Sequence, residues 1–262
     1  MDCEVLICPG TSTRGRKILG AMVSSARTAG VKVKVTTKWE GAAPVLMSYG
    51  VGHPVRSAWT REHVARGGRL LGWDLGYWDR EKPDFKMRLT LDDDHPQRWI
   101  QPEAPERFDR SGIQLREDAD PKGHIVLSGI GRKQREHKGL SFQEWELGTL
   151  KDLRSRFPGR EIVFKPKRLE QTLPGCRLLD GTIEEALKGA SLLVCHHSNV
   201  AVDACIAGVP VECEDGAARA LYQHGSTPSP EQRLEFLRSL AWWQYSTSEA
   251  ALAWKFIKRQ IG

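Results

Sequence analysis

Apolar positions follow two alternating periods. The run Glu4-Val5-Leu6-Ile7-Cys8 stops at Pro9-Gly10 and predicts a short buried strand. A polar loop from Thr11 to Gly15 leads into Ile18, Leu19, Met22 and Val23, whose spacing predicts a helix that continues to Gly30. Val31, Val33 and Val35 alternate with lysines and predict a strand with one polar face. Pro44 to Tyr49 and Leu70 to Asp74 read as further strands. The helix between them runs from Ala58 to Ala65 and ends at Gly67-Gly68. Residues 79–122 break the alternation; they are rich in Asp, Pro and Arg and hold one strand, Phe85 to Leu91.

A second strand–helix series follows the linker-like Asp118 to Lys122. Strands are predicted at His124–Ser128, Glu161–Phe164, Ser191–Cys195 and Pro210–Cys213. Helices are predicted from Ser141 to Phe157, with Phe142, Trp145, Leu150 and Leu153 on the apolar face, from Ile183 to Leu187, and from Val200 to Ile206, where Gly208 stops the last. Pro230 to Gln260 reads as one or two C-terminal helices. Strand–helix alternation with short loops implies layered, parallel α/β units. The expected domains are 1–120, 121–235 and a helical tail at 236–262.

Composition adds limits. The 262 residues are 40% apolar and 27% charged, enough to bury a core. No apolar run reaches the length of a membrane span, and Met-Asp-Cys-Glu lacks the basic start of a secretory signal. The expectation is a soluble, cytoplasmic protein with no membrane partner. Five of the six cysteines, Cys3, Cys8, Cys195, Cys205 and Cys213, sit in or beside apolar stretches, and no C-x-x-C pair occurs, so neither a disulfide framework nor a structural zinc is expected. The net charge of +6 permits a polyanion partner without requiring one.

The segment from His196 to Val211 carries the strongest chemical signal. A buried strand ends at His196-His197, and Ser198 or Asn199 stands where a helix begins. Free N–H groups and the positive end of the helix dipole would make this an anion site suited to a diphosphate. Asp203, one turn beyond Asn199, would accept from ribose hydroxyls, and Gly208-Val209-Pro210 ends the helix tightly. This segment resembles the nucleotide-sugar motif in the C-terminal domain of GT-B glycosyltransferases. Asp203 stands where that family usually has glutamate, which shortens the reach to ribose. The C-terminal half is also similar to short phage-type glycosyltransferase-like proteins, partly through Leu240 to Tyr245.

The resemblance implies a GT-B fold: two Rossmann-like α/β domains facing one cleft, with C-terminal helices packing back on the N-terminal domain. It implies a sugar transfer from a nucleotide sugar, UDP-linked, to an acceptor hydroxyl. The implied donor-binding set is Gly129, Gly131, Arg132, Lys165, Lys167, His197, Ser198, Asn199, Val200 and Asp203. Gly129-Ile130-Gly131 would let backbone approach the phosphates. Lys165-Pro166-Lys167 is similar to the basic strand-end motif that neutralises the donor diphosphate in sialyltransferase-like members. No metal or other cofactor is expected.

In the N-terminal half, Gly10-x4-Gly15 is followed by Arg16, with Lys17 one place late and no hydroxyl behind it, so a Walker A site is rejected. Asp74, at a strand end, is the candidate general base. Arg14, Arg16, Lys17, Tyr77 and Trp78 are the candidate acceptor contacts. The basic clusters and the rings suit a hydroxymethylated pyrimidine in DNA, extruded and stacked, and the location would then be a host cytoplasm. Two rivals stand beside this reading. One is a non-catalytic nucleic-acid-binding protein on a degenerate GT-B scaffold. The other is a GT-A-like transferase holding a metal at Asp92 and Asp94. A sugar-nucleotide epimerase shares the fold.

Overall fold

A computed structural model of the protein describes residues 1–50, 54–80, 82, 84–167, 171–222 and 227–262. In chain order the elements are β1 (Asp2–Leu6), α1 (Thr13–Ala26), β2 (Lys32–Thr36), β3 (Val45–Tyr49), α2 (Pro54–Ala65), β4 (Arg69–Leu75), β5 (Met87–Leu91) and α3 (Glu106–Asp109). Next come β6 (His124–Ser128), α4 (Arg132–Lys138), α5 (Glu144–Arg156), β7 (Ile162–Lys165), β8 (Arg177–Leu178), α6 (Ile183–Leu187), β9 (Ala190–Cys195), α7 (Val200–Ala207) and β10 (Val211–Cys213). The chain closes with α8 (Pro230–Leu240), β11 (Gln244–Tyr245) and α9 (Ala250–Ile261).

The first compact unit comprises Met1–Trp99 together with Ala241–Gly262. Its sheet has the order β11-β5-β4-β3-β1-β2. The strands β2, β1, β3 and β4 run parallel, whereas β5 and β11 add antiparallel. β5 follows β4 without a crossover helix, so it must return antiparallel. Ser12 caps α1 by accepting from the Gly15 amide at 3.2 Å. Ile18, Leu19 and Met22 are buried as their spacing predicts. α9 packs on α1, where the Trp254 indole donates to the Met22 carbonyl at 2.8 Å. Trp243 and Tyr245 meet Phe256 at centroid distances of 5.0 and 6.1 Å. The terminal helix thus packs back on the N-terminal sheet unit.

The second unit spans Ile100–Leu240 and has a fully parallel sheet of order β10-β9-β6-β7-β8. Parallel strands need cover on both faces. Leu150 and Leu153 of α5 pack with Ile125, Leu127 and Phe164, and α7 is buried at every residue but Asp203. Phe142, expected on the apolar face of the α5 segment, is instead 55% exposed, with Arg135 over its ring. It precedes the helix start at Glu144.

The units divide at 99/100 and 240/241, where the sequence reading drew 120/121 and 235/236. The reason is a set of hydrogen bonds that fasten residues 100–120 to the second unit. The Arg116 and Asp118 amides donate to the Ile206 and Ala207 carbonyls, both at 2.8 Å, and Arg238 pairs with Asp109 at 3.1 Å. Among the described residues, no helix is long and apolar enough to cross a membrane.

Candidate functional site

Parallel sheets present their loops at the carboxyl ends of their strands, and ligands bind there. In the second unit, Ser128, Lys165 and Cys195 lie in register at that edge. Three of the sequence-predicted segments leave from these positions. The Lys167 ammonium donates to Ser198 Oγ at 2.9 Å, joining the loop after β7 to the start of α7. The Lys167 amide donates to Gln171 Oε1 at 2.8 Å, and Gln171 Nε2 donates to the Ile130 carbonyl at 3.1 Å. Gln171 is 2% exposed, so this bridge is rigid. Glu146, fully buried, accepts from the Ile130 amide at 2.9 Å and fixes the glycine loop from the other side.

The two glycines differ. A Cβ at Gly129 would meet the Phe164 ring at 3.1 Å, so a side chain there would press on the core. A Cβ at Gly131 would meet nothing within 4 Å, so backbone is open to approach there. Gly131 caps α4, and Arg132 follows with an exposed 3.6 Å ion pair to Glu136.

The start of α7 departs from expectation. The Val200 amide is turned to Ser198 Oγ at 3.4 Å, Ala201 to the Ser198 carbonyl at 3.1 Å and Val202 to the Asn199 carbonyl at 2.9 Å. The first-turn N–H groups are therefore engaged rather than free. Asn199 holds the cap position with helical dihedrals and no side-chain cap bond. The side chain of Val200 is core, 3% exposed, so its place in the donor set is corrected to packing. Asp203 follows Asn199 by one turn, its amide 3.4 Å from the Asn199 carbonyl.

His196 and His197 face each other, Nδ1 to Nδ1, at 3.2 Å, so one ring donates and the other accepts. His196 Nε2 lies 3.4 Å from Glu214, which also accepts from the Trp145 indole. Asp215 receives Lys138 at 3.0 Å and the Gly216 amide at 2.7 Å. Burial alone would raise the Asp215 carboxyl, but these donors outweigh it and hold it below its ordinary value. Burial pushes the Cys195 thiol up to about 11, so it packs and does not attack. A cavity of about 640 Å³ adjoins this edge, lined by Trp145, Thr149, Cys195, Glu214, Arg219 and Tyr222.

In the first unit, Asp74 Oδ2 accepts from Arg88 at 3.2 Å and Oδ1 from the Leu75 amide at 2.8 Å. Tyr77 is fully buried and Trp78 5% exposed, which corrects their assignment as acceptor-stacking rings. The cause is β11, whose Gln244 side chain accepts from the Tyr77 amide at 2.9 Å and closes the turn over both. Arg14 lies over the Phe85 ring at 4.9 Å, and Arg16 donates to the Thr11 and Cys8 carbonyls at 3.1 and 3.4 Å. Lys17 is exposed. Asp92 has φ +57 and accepts from Arg69 at 2.7 Å and from the Leu70 amide at 2.8 Å. It sits at the amino end of β4, the opposite edge of the sheet from Asp74, and serves as a turn clamp.

Sequence reasoning missed Gln171, Glu146 and Asp215, and placed Lys138 only in a basic cluster. None belongs to a motif; only the fold brings them to the edge.

Two α/β units with parallel strands define the Rossmann-like GT-B fold. Thermosulfurimonas dismutans KpsC, in its solved beta Kdo 2,4 transferase, is similar at TM-score 0.56 and 12% identity, over 100% of this chain and 98% of that one. Its beta Kdo 2,7 transferase is similar at 0.57 and 15%, over 98% and 100%. These likenesses establish the fold. No protein-family model matches the chain. No curated protein matches it either.

Proposed function

We propose that the protein is a glycosyltransferase that takes a sugar from a nucleotide donor and transfers it to an acceptor hydroxyl. The observation that carries this reading is the join of three strand-end loops by Lys167, Ser198 and Gln171. A basic group held at a strand edge beside an open glycine backbone suits a diphosphate. The diphosphate would meet Lys165, Lys167 and Gly131, Asp203 would meet the ribose, and the adjoining cavity, at about 640 Å³, is in the range of small-molecule pockets. The first unit is assigned to the acceptor, with Asp74 as base through the second lone pair that each of its oxygens retains. A UDP-linked donor is the first to try. Calorimetry with UDP-, GDP- and CMP-linked sugars tests the assignment: binding of none, or equal binding by a Lys165→Ala/Lys167→Ala double variant, overturns it.

The narrower reading of DNA as acceptor rests on exposed Arg16, Lys17 and Lys133. Incubation of hydroxymethylated duplex with each donor, then digestion and mass analysis, decides it. No added hexose or pentose mass removes DNA and leaves the donor assignment untouched.

A further inference from the structure

Among the described residues of the first unit, one buried cation has no carboxylate partner. Arg56, in the first turn of α2, is 8% exposed. Its Nη1 donates to Thr11 Oγ1 at 3.3 Å, and Thr11 is itself 5% exposed. Its Nε is buried with no hydrogen-bond partner, and among the described residues no carboxylate pairs with it. Two other buried arginines are compensated: Arg88 has Asp74, and Arg233 has Glu117. A guanidinium taken out of water against one neutral hydroxyl is costly unless something else neutralises it.

The position of this cation is informative. Thr11 belongs to the loop after β1, and the guanidinium is near enough to Cys8 to oppose the rise that burial imposes on that thiol. A Cβ built on Gly50, just past β3, would lie 4.0 Å from Nη2. Arg56 therefore sits at the carboxyl ends of β1 and β3, the edge where such sheets take ligands. Arg16 covers the same loop from outside through the Thr11 and Cys8 carbonyls.

The chemistry follows from the fork. Nη1 is committed to Thr11, which leaves the Nε and Nη2 edge. Two parallel N–H donors on that edge match the two oxygens of a carboxylate or a phosphate. We propose that this edge of Arg56 seats a single oxyanion, a carboxylate or phosphate carried by the acceptor. The word acceptor rests on the glycosyltransferase reading; the anion site does not. One buried fork suits a compact charged group better than a polyanion, which is tracked by rows of exposed cations.

The test uses the full chain at fixed ionic strength in chloride. Melting temperature is followed with inorganic phosphate, glucuronate and glucose. Phosphate or glucuronate at ten times its dissociation constant raises the wild-type melting temperature by about 3 °C, and glucose does not. Whichever anion acts at lower concentration identifies phosphate or carboxylate as the source. Arg56→Gln abolishes the rise, and Arg56→Lys, which keeps charge without the fork, weakens it at least tenfold in concentration. An equal rise in Arg56→Gln, or no rise in wild type with either anion, overturns the site. If Arg56→Gln does not fold, the arginine Nε–H resonance of Arg56 in wild type is followed during the same titrations, and a resonance that fails to shift overturns it. Donor binding at Lys167 is measured separately, so loss of this site and loss of the transferase reading give different results.

Discussion

Lys167 and Ser198 stand 31 positions apart and touch at 2.9 Å, ammonium to hydroxyl. The contact holds the lysine head beside the start of α7, where a diphosphate would replace or share the hydroxyl as acceptor. Lys167→Ala should weaken nucleotide-sugar binding by about 1.5–3 kcal/mol, the worth of one charged hydrogen bond. Ser198→Ala should cost less, because it removes a partner of the lysine rather than a charge. Calorimetric titration of both variants with the preferred donor checks the order, and the reverse order would place the phosphate elsewhere.

Tyr77 gives a contrasting expectation. Its hydroxyl is buried without a partner, and burial holds the phenol well above its ordinary range. Tyr77→Phe should leave stability unchanged or raise it by about 1 kcal/mol, since a desolvated group with no hydrogen bond is removed. Transfer activity should be unaltered. Urea unfolding and a turnover assay check both, and a loss of activity with stability intact would restore an acceptor role.

The contrast between these residues shows what was legible in the sequence. The strand from Ser191 to Cys195, the helix after it and the stop at Gly208 are all local: period and a left-handed glycine, φ +75. The lysines after β7 were legible for the same reason. Tyr77 and Trp78 were misplaced because the cover over them, Gln244, is 167 positions away in sequence. The unit boundary slid for a similar cause, since only the bonds from Arg116 and Asp118 to the end of α7 tell that residues 100–120 belong to the second sheet. Arg56 looks like an ordinary helix arginine until its burial is known.

Activity should survive EDTA. Asp92, one of the two metal ligands of the rival reading with Asp94, has both oxygens taken by Arg69 and the Leu70 amide and lies at the far edge of its sheet from Asp74. Asp92→Asn should lower stability by about 1 kcal/mol through the lost ion pair and leave turnover unchanged. Turnover abolished by EDTA and restored by Mg or Mn, together with loss of metal binding in Asp92→Asn, would favour the metal-dependent transferase.

Asp215 predicts a pH dependence. Its carboxyl is held below the ordinary value despite burial, by Lys138 and the Gly216 amide. A group depressed in the folded state contributes stability that is complete above its unfolded value, about 3.9, and is lost as pH falls through the folded value. Wild type should therefore exceed Asp215→Asn in urea midpoint at pH 7, and the gap should narrow only in acid, below about pH 4. Lys138→Ala should shrink the gap at pH 7, because burial then opposes the charged form with fewer donors to offset it. A gap that persists unchanged to pH 2 would mean that the asparagine effect is steric.

Gln171 is the last and most direct probe of how the strand-end loops cooperate. Its amide oxygen takes the Lys167 amide and its nitrogen gives to the Ile130 carbonyl, so one buried side chain sets the distance between the glycine loop and the lysine loop. Gln171→Leu keeps the volume but strands two backbone groups in a dry place, at about 1–3 kcal/mol each. Gln171→Glu keeps one acceptor for Lys167 and loses the donor to Ile130. Both variants should weaken donor binding without altering the acceptor's KM, since the residue positions donor contacts and touches no acceptor. The glutamate variant should keep more donor affinity than the leucine variant, because the bond to the Lys167 amide survives in it. Calorimetry with the donor and steady-state kinetics in both substrates measure this split. A leucine variant that binds donor as tightly as wild type would show that the two loops hold their spacing without the bridge.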